Sequence, residues 1–106
     1  MIAEALYDAG CLFQYEKELK LYDDKGYPVV KYPDFTIFHP RTHQIYYWEH
    51  CGMLADERYR QRWRAKKAVY EAHGIHEGEN LIVSQDEENG SIDCQRIGEF
   101  IQRIIG

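Results

Sequence analysis

The chain has 106 residues and a formal net charge of −5, which bounds it to one domain and excludes a basic coat for nucleic acid. Hydrophobic residues make up 44%, with nine Tyr, four Phe and two Trp, which excludes a disordered tail. No apolar run approaches the ~18 residues that cross a bilayer and no signal-peptide pattern opens the chain, so a soluble, cytoplasmic protein without a membrane partner is expected. Cys11, Cys51 and Cys94 are scattered without CxxC spacing and are expected as reduced thiols.

Met1 to Asp8 reads as a helix that ends at Asp8-Ala9-Gly10. It has no N-cap and starts mid-stride, so residues upstream are expected to belong to it. Leu12 to Leu21 reads as one strand, followed by the turn signal Asp23-Asp24-Lys25-Gly26. Tyr32 to His39 is rich in aromatic and β-branched residues and reads as a strand. Pro40 to His43 turns the chain, and Gln44 to Cys51 is the next strand, closed by Gly52.

Asp56 to His73 is the clearest helix. Tyr59, Trp63, Lys66 and Tyr70 recur on one stripe, and Gly74 stands where a helix stops. Asn80 to Gln85 reads as a short buried strand, Glu88-Asn89-Gly90 as a turn, and Ile92 to Ile105 as a final helix. Ile97, Phe100, Ile101, Ile104 and Ile105 form the apolar face of that helix. The expected order is α-β-β-β-α-β-α over a single domain, 1–106, which suggests a sheet flanked by helices.

The chemistry lies in Tyr32-Pro33-Asp34-Phe35 and Tyr46-Tyr47-Trp48-Glu49-His50-Cys51-Gly52. Both are apolar strands, and each carries one carboxylate, Asp34 and Glu49. An unpaired buried carboxylate costs several kcal/mol. Adjacent strands would bring the two acids within ~5 Å, where they repel unless a hard cation lies between them. The plainer reading places them at strand ends facing water, or paired with arginines.

Asp34 after Pro33, a short hairpin, and Glu49 on the next strand resemble the PD-(D/E)XK nuclease superfamily. The wider run of Tyr32–Pro40, Tyr46–Met53, then Tyr59, Trp63, Lys66 and Leu81–Gly90, is similar to bacterial stand-alone and helicase-attached members. Their pattern reads PDF, YYWEHLG, then Y-x-x-x-W-x-x-K. The resemblance covers nearly the whole chain. It implies a restriction-endonuclease-like αβββαβ core with a central mixed sheet flanked by helices, followed here by a C-terminal helix. It also implies Mg²⁺-dependent hydrolysis of DNA, with Mn²⁺ as a substitute. Asp34 and Glu49 would be ligands, the His50 carbonyl a third, and Lys66 the assisting lysine. The implied partner is nucleic acid, DNA in first place, with a homodimer or attachment to a larger DNA-processing protein as the setting. The alternative is an inactive nuclease-fold domain that binds DNA or protein within such an assembly.

Two positions depart from that pattern. The lysine that usually stands two residues after the second acid is Cys51 here, so Lys66 is the substitute; its plain reading is a lysine whose stem packs while its head reaches water. The first-helix glutamate of relatives is expected upstream of Met1, and Glu4, the one carboxylate inside this helix ahead of its final Asp8, is read as a surface charge. Arg58 and Arg62 share one flank of the long helix and could touch a phosphate backbone, or simply be solvated. Tyr59 and Trp63 read as core, not base-stacking platforms. His39, His43, His50 and Cys51 raise a zinc alternative, but their spacing fits no zinc motif.

Overall fold

The computed structural model describes residues 2–86 and 94–105, with Cys94 described by its backbone alone. In chain order the elements are α1 (Ile2–Asp8), β1 (Leu12–Tyr15), β2 (Leu19–Tyr22), β3 (Pro28–Lys31), β4 (Phe35–Phe38) and β5 (Ile45–Cys51). They are followed by α2 (Glu57–Ala72), β6 (Leu81–Gln85) and α3 (Cys94–Ile105). The turn expected at Glu88-Asn89-Gly90 and the expected start of the last helix at Ile92 lie outside the described residues.

Four strands form a mixed sheet in the order β1-β4-β5-β6, antiparallel at β1/β4 and β4/β5 and parallel at β5/β6. A parallel pair cannot be closed by a tight turn, and α2 supplies the crossover between β5 and β6. The period of two along each strand then sorts the side chains between two cores. Phe35, Ile37 and Trp48 pack with Ile2 and Leu6 of α1 and with Ile97, Ile101 and Ile104 of α3. On the other face Tyr47, Leu81 and Val83 pack with Trp63, Val69 and Tyr70 of α2. Helices therefore cover both faces, as the sequence pattern leads one to expect. No helix among the described residues is long and apolar enough to cross a membrane.

One expected element is different. Leu12 to Leu21 is not a single strand: at Glu16 the backbone turns left-handed, φ 50°, and the Glu16 amide donates to the Asp34 carbonyl at 3.1 Å. The chain leaves the sheet there, and β2 pairs with β3 in a separate two-stranded sheet. Asp23 Oδ1 accepts from the amides of Lys25 and Tyr27, and Gly26 supplies the left-handed φ of 84° that the turn requires. The hairpin lays Leu21 and Val29 against Tyr70, Ile75 and Leu81. The turn signal was legible, but its strand partners were misassigned because local pattern does not say which strand a segment will meet. The observed order is α-β-β-β-β-β-α-β-α.

Candidate functional site

The register of β4 against β5 pairs Phe35 with Trp48, so the next pair brings Asp34 beside Glu49. Pro33 is fully buried just before, and its fixed φ and missing N–H suit the point where the chain enters the sheet. Two main-chain hydrogen bonds tie the acids together. The Asp34 amide donates to Glu49 Oε1 at 3.3 Å, and the His50 amide donates to Asp34 Oδ2 at 2.6 Å.

Helix α2 brings the remaining groups. Asp56 is its N-cap, with Oδ1 accepting from the Tyr59 amide at 3.0 Å. With the helix start fixed, the stripe of Tyr59, Trp63, Lys66 and Tyr70 faces the sheet. The Lys66 ammonium forms an ion pair with Glu49 Oε2, and the Tyr70 hydroxyl donates to the same oxygen at 2.6 Å. Lys66 thus points at Glu49, while its side chain keeps 27% of its surface exposed.

Glu49 is only 4% exposed. Burial pushes its carboxyl above the usual carboxylate range; hydrogen bonds from Lys66 and Tyr70 pull the other way, and the Asp34 charge adds to the rise. Burial, and then the Glu49 carboxylate, push the Tyr70 hydroxyl far above its ordinary value, so it keeps its proton and can donate it to Glu49. Cys51, two residues on and on the same face as Glu49, is 2% exposed, and burial first and the Glu49 charge next push its thiol up to about 11. It is a neutral packing group where the resemblance expects an ammonium.

His50 contributes its main chain to this side of β5 and its ring to the opposite one. The indole Nε1–H of Trp48 donates to Ser84 Oγ at 2.8 Å, and Ser84 Oγ lies 2.6 Å from His50 Nδ1. An indole only donates, so the serine can pass its own hydrogen to Nδ1. The Nε2–H of the ring then faces Asp86 Oδ1 at 2.7 Å. Ser84 and Asp86 were missed in the sequence because alternation gives the face of a strand residue and not its partner across the ladder. Tyr70 was read only as part of an apolar stripe; its spacing of four from Lys66 was the available signal.

A depression of about 220 Å³ opens over the acids, lined among others by Asp34, Glu49, Cys51, Tyr59, Arg62 and Lys66. A larger hollow of about 480 Å³ runs along β6 and α3, past Glu77, Glu79 and Arg103. Size does not locate the chemistry here; the convergence of two acids and an ammonium does. Arg62 lies at the site with its guanidinium over the Tyr59 ring, whereas Arg58 is exposed and is not part of the lining, so the expected arginine pair is divided. Glu4 is exposed on α1 beside Tyr7 and Asp8, apart from the depression. Tyr59 both lines the site and accepts from the Gly52 amide at 3.3 Å, while Trp63 packs in the α2 core.

Among the described residues no three His, Cys, Asp or Glu side chains cluster as a metal cage. His39 is spent on its own turn, its Nδ1 accepting from the amides of Arg41 and Thr42, and His43 is exposed, so no zinc set assembles around Cys51. The donors that the structure sets side by side are the carboxylates of Asp34 and Glu49. That set suits Mg²⁺, which takes oxygen ligands, commonly uses one or two carboxylates and keeps several waters. Asp34 Oδ1 meets no donor among the described residues, which leaves one carboxylate oxygen open to a hard cation. Comparison with models of protein families, with curated proteins and with solved structures returned no significant match.

Proposed function

We propose that this chain is a divalent-cation-dependent phosphodiesterase domain of PD-(D/E)XK type that acts on DNA. The observation that carries the reading is the convergence of Lys66, from α2, on the Asp34–Glu49 pair of β4 and β5. The order of elements supports the restriction-endonuclease-like core: with the β2–β3 hairpin set aside, α1, β1, β4, β5, α2 and β6 follow the αβββαβ pattern.

Asp34, Glu49 and the His50 carbonyl would hold Mg²⁺, or Mn²⁺ in its place. The ion, when bound, lowers the pKa of water and offsets the charge that develops on the phosphate. The Lys66 ammonium has the reach and exposure to turn from Glu49 to a phosphate oxygen or to orient the attacking water. Arg62, which lines the depression, would meet a neighbouring phosphate. Cys51 adds no charge and keeps the acids packed.

The test is cleavage of single- and double-stranded plasmid DNA with Mn²⁺ or Mg²⁺, comparing the chain with Asp34→Asn. Metal-dependent nicking that is lost in the folded variant supports the reading, and nicking that survives refutes it. A second reading, a non-catalytic domain that binds DNA or protein within a larger assembly, is favoured by two observations. Lys66 already neutralises Glu49 internally, and Cys51 stands at the usual lysine position. A melting temperature that does not move with Mn²⁺ would select it, since a ligand that binds the folded state must raise stability.

A further inference from the structure

Tyr70 has no exposed surface, and its hydroxyl ends on the one carboxylate oxygen that Lys66 also holds. A phenylalanine would fill the same stripe without burying a polar group, whose desolvation must be offset by a partner. The stripe therefore explains the ring but not the hydroxyl. The two Glu49 oxygens are also treated unequally. Among the described residues, Oε2 receives Tyr70 and Lys66, while Oε1 receives only the long 3.3 Å contact from the Asp34 amide.

We propose that Tyr70 is the positioning residue for Glu49, anchoring Oε2 so that Oε1 stays turned towards Asp34 and a bound divalent cation. The proposal rests on the metal-site reading above and names the group that sets its geometry. The terminal torsion of a glutamate is broad and roughly two-fold, so a carboxylate does not hold its own orientation. Lys66 is a poor anchor, because its ammonium rides on a flexible four-carbon stem and is partly exposed. Tyr70 turns about only two side-chain bonds and is enclosed by the α2 core. It also keeps Oε2 partnered when Lys66 turns to the substrate. Without it, Glu49 can close on Lys66 with both oxygens, and the ammonium then competes with the cation.

The experiment measures Mn²⁺ affinity by the electron paramagnetic resonance signal of the free ion, beside melting temperatures in EDTA. The chains compared are the parent, Tyr70→Phe, Lys66→Met and Glu49→Gln, with and without Tyr70→Phe. Loss of a hydrogen bond that orients a metal ligand commonly weakens binding 10–100-fold, so Tyr70→Phe is expected to weaken Mn²⁺ binding about tenfold. Its metal-free melting temperature should fall only by the loss of one buried hydrogen bond, whereas a merely structural role predicts that fall with Mn²⁺ affinity unchanged. The effect should vanish in the Glu49→Gln background, since the two act as one unit. Lys66→Met should bind Mn²⁺ at least as tightly as the parent, because the competing ammonium is gone and Tyr70 remains. Parental affinity in Tyr70→Phe overturns the proposal. Loss of binding in Lys66→Met overturns it too, and decides the matter if Tyr70→Phe does not fold. A parent chain that binds no Mn²⁺ overturns the metal-site reading itself, a result distinct from either.

Discussion

Glu49→Gln should make the metal-free protein more stable while abolishing any activity. Two effects compete. Removing one partner of a buried ion pair costs ~3–5 kcal/mol when the other charge is stranded away from water. Lys66 is not stranded: with 27% of its side chain exposed, its ammonium can turn to solvent, and losing a pair of that kind costs ~0–1 kcal/mol. On the other side, Glu49 is 4% exposed, and burial holds its carboxyl above the usual range in spite of Lys66 and Tyr70. Glutamine keeps the shape and an oxygen for the Tyr70 hydroxyl while removing the buried charge. The expected balance is a gain of about 0.5–2 kcal/mol, typical of relieving a functional site. At roughly 4–8 °C per kcal/mol for a domain near this size, the melting temperature rises by several degrees. Because the folded state holds the Glu49 proton more tightly than the unfolded chain, that group's stabilisation is complete below the ordinary carboxylate value. It is lost as pH rises through the raised folded value. The gap between variant and parent should therefore be widest at neutral pH and close on acidification. Thermal and urea melts in EDTA across that range measure it. A variant destabilised by more than about 2 kcal/mol at neutral pH would refute the reasoning and show that the ion pair outweighs the cost of burying the charge.

Arg62→Ala should raise KM for DNA and flatten the salt dependence of binding, with kcat little changed; a fall in kcat alone would remove Arg62 from substrate binding. The Cys51 thiol, pushed up to about 11 and 2% exposed, should resist iodoacetamide at pH 8 until the protein is unfolded; fast labelling of the native chain at that residue would show the site to be more open. Asp56→Ala removes the side-chain cap on the Tyr59 amide and should cost about 1 kcal/mol in urea unfolding, with a loss below about 0.3 kcal/mol contradicting a role for the cap.

Legibility followed the range of the physics. Helix α2 was readable from Asp56 to Gly74 because stripe, cap and stop are all local, and β4 to β6 were readable from apolar runs bounded by turn residues. The Asp34–Glu49 pairing was also accessible, since an antiparallel neighbour and a period of two fix which residues face each other. The split at Glu16 was not. A glutamate carries no signal for a left-handed φ, and the hydrogen bond that holds it there runs from its amide to the carbonyl of Asp34, far along the chain. The His50–Ser84–Asp86 network was hidden for a related reason: it depends on β5 and β6 being parallel neighbours with His50 opposite Ser84. Arg58 and Arg62 share a helix flank in sequence, yet the depression ends between them.

Placing the lysine on α2 instead of β5 changes what its charge can do. An ammonium at residue 51 would lie in a place where the present side chain is 2% exposed, beside Glu49 and against Tyr59. It would be a fixed partner of the acids, costly to desolvate and unable to leave them. Carried on α2, the ammonium reaches the same carboxylate from above while its stem still meets solvent. Such a group can exchange one anionic partner for another at low cost, provided that Glu49 does not follow it. The enclosed Tyr70 hydroxyl, one helical turn further on, meets that condition by holding Oε2 independently. Helix α2 thus brings a partly exposed ammonium and an enclosed hydroxyl to the carboxylate that β5 presents, while residue 51 of the strand is a buried thiol beside Glu49 and Tyr59.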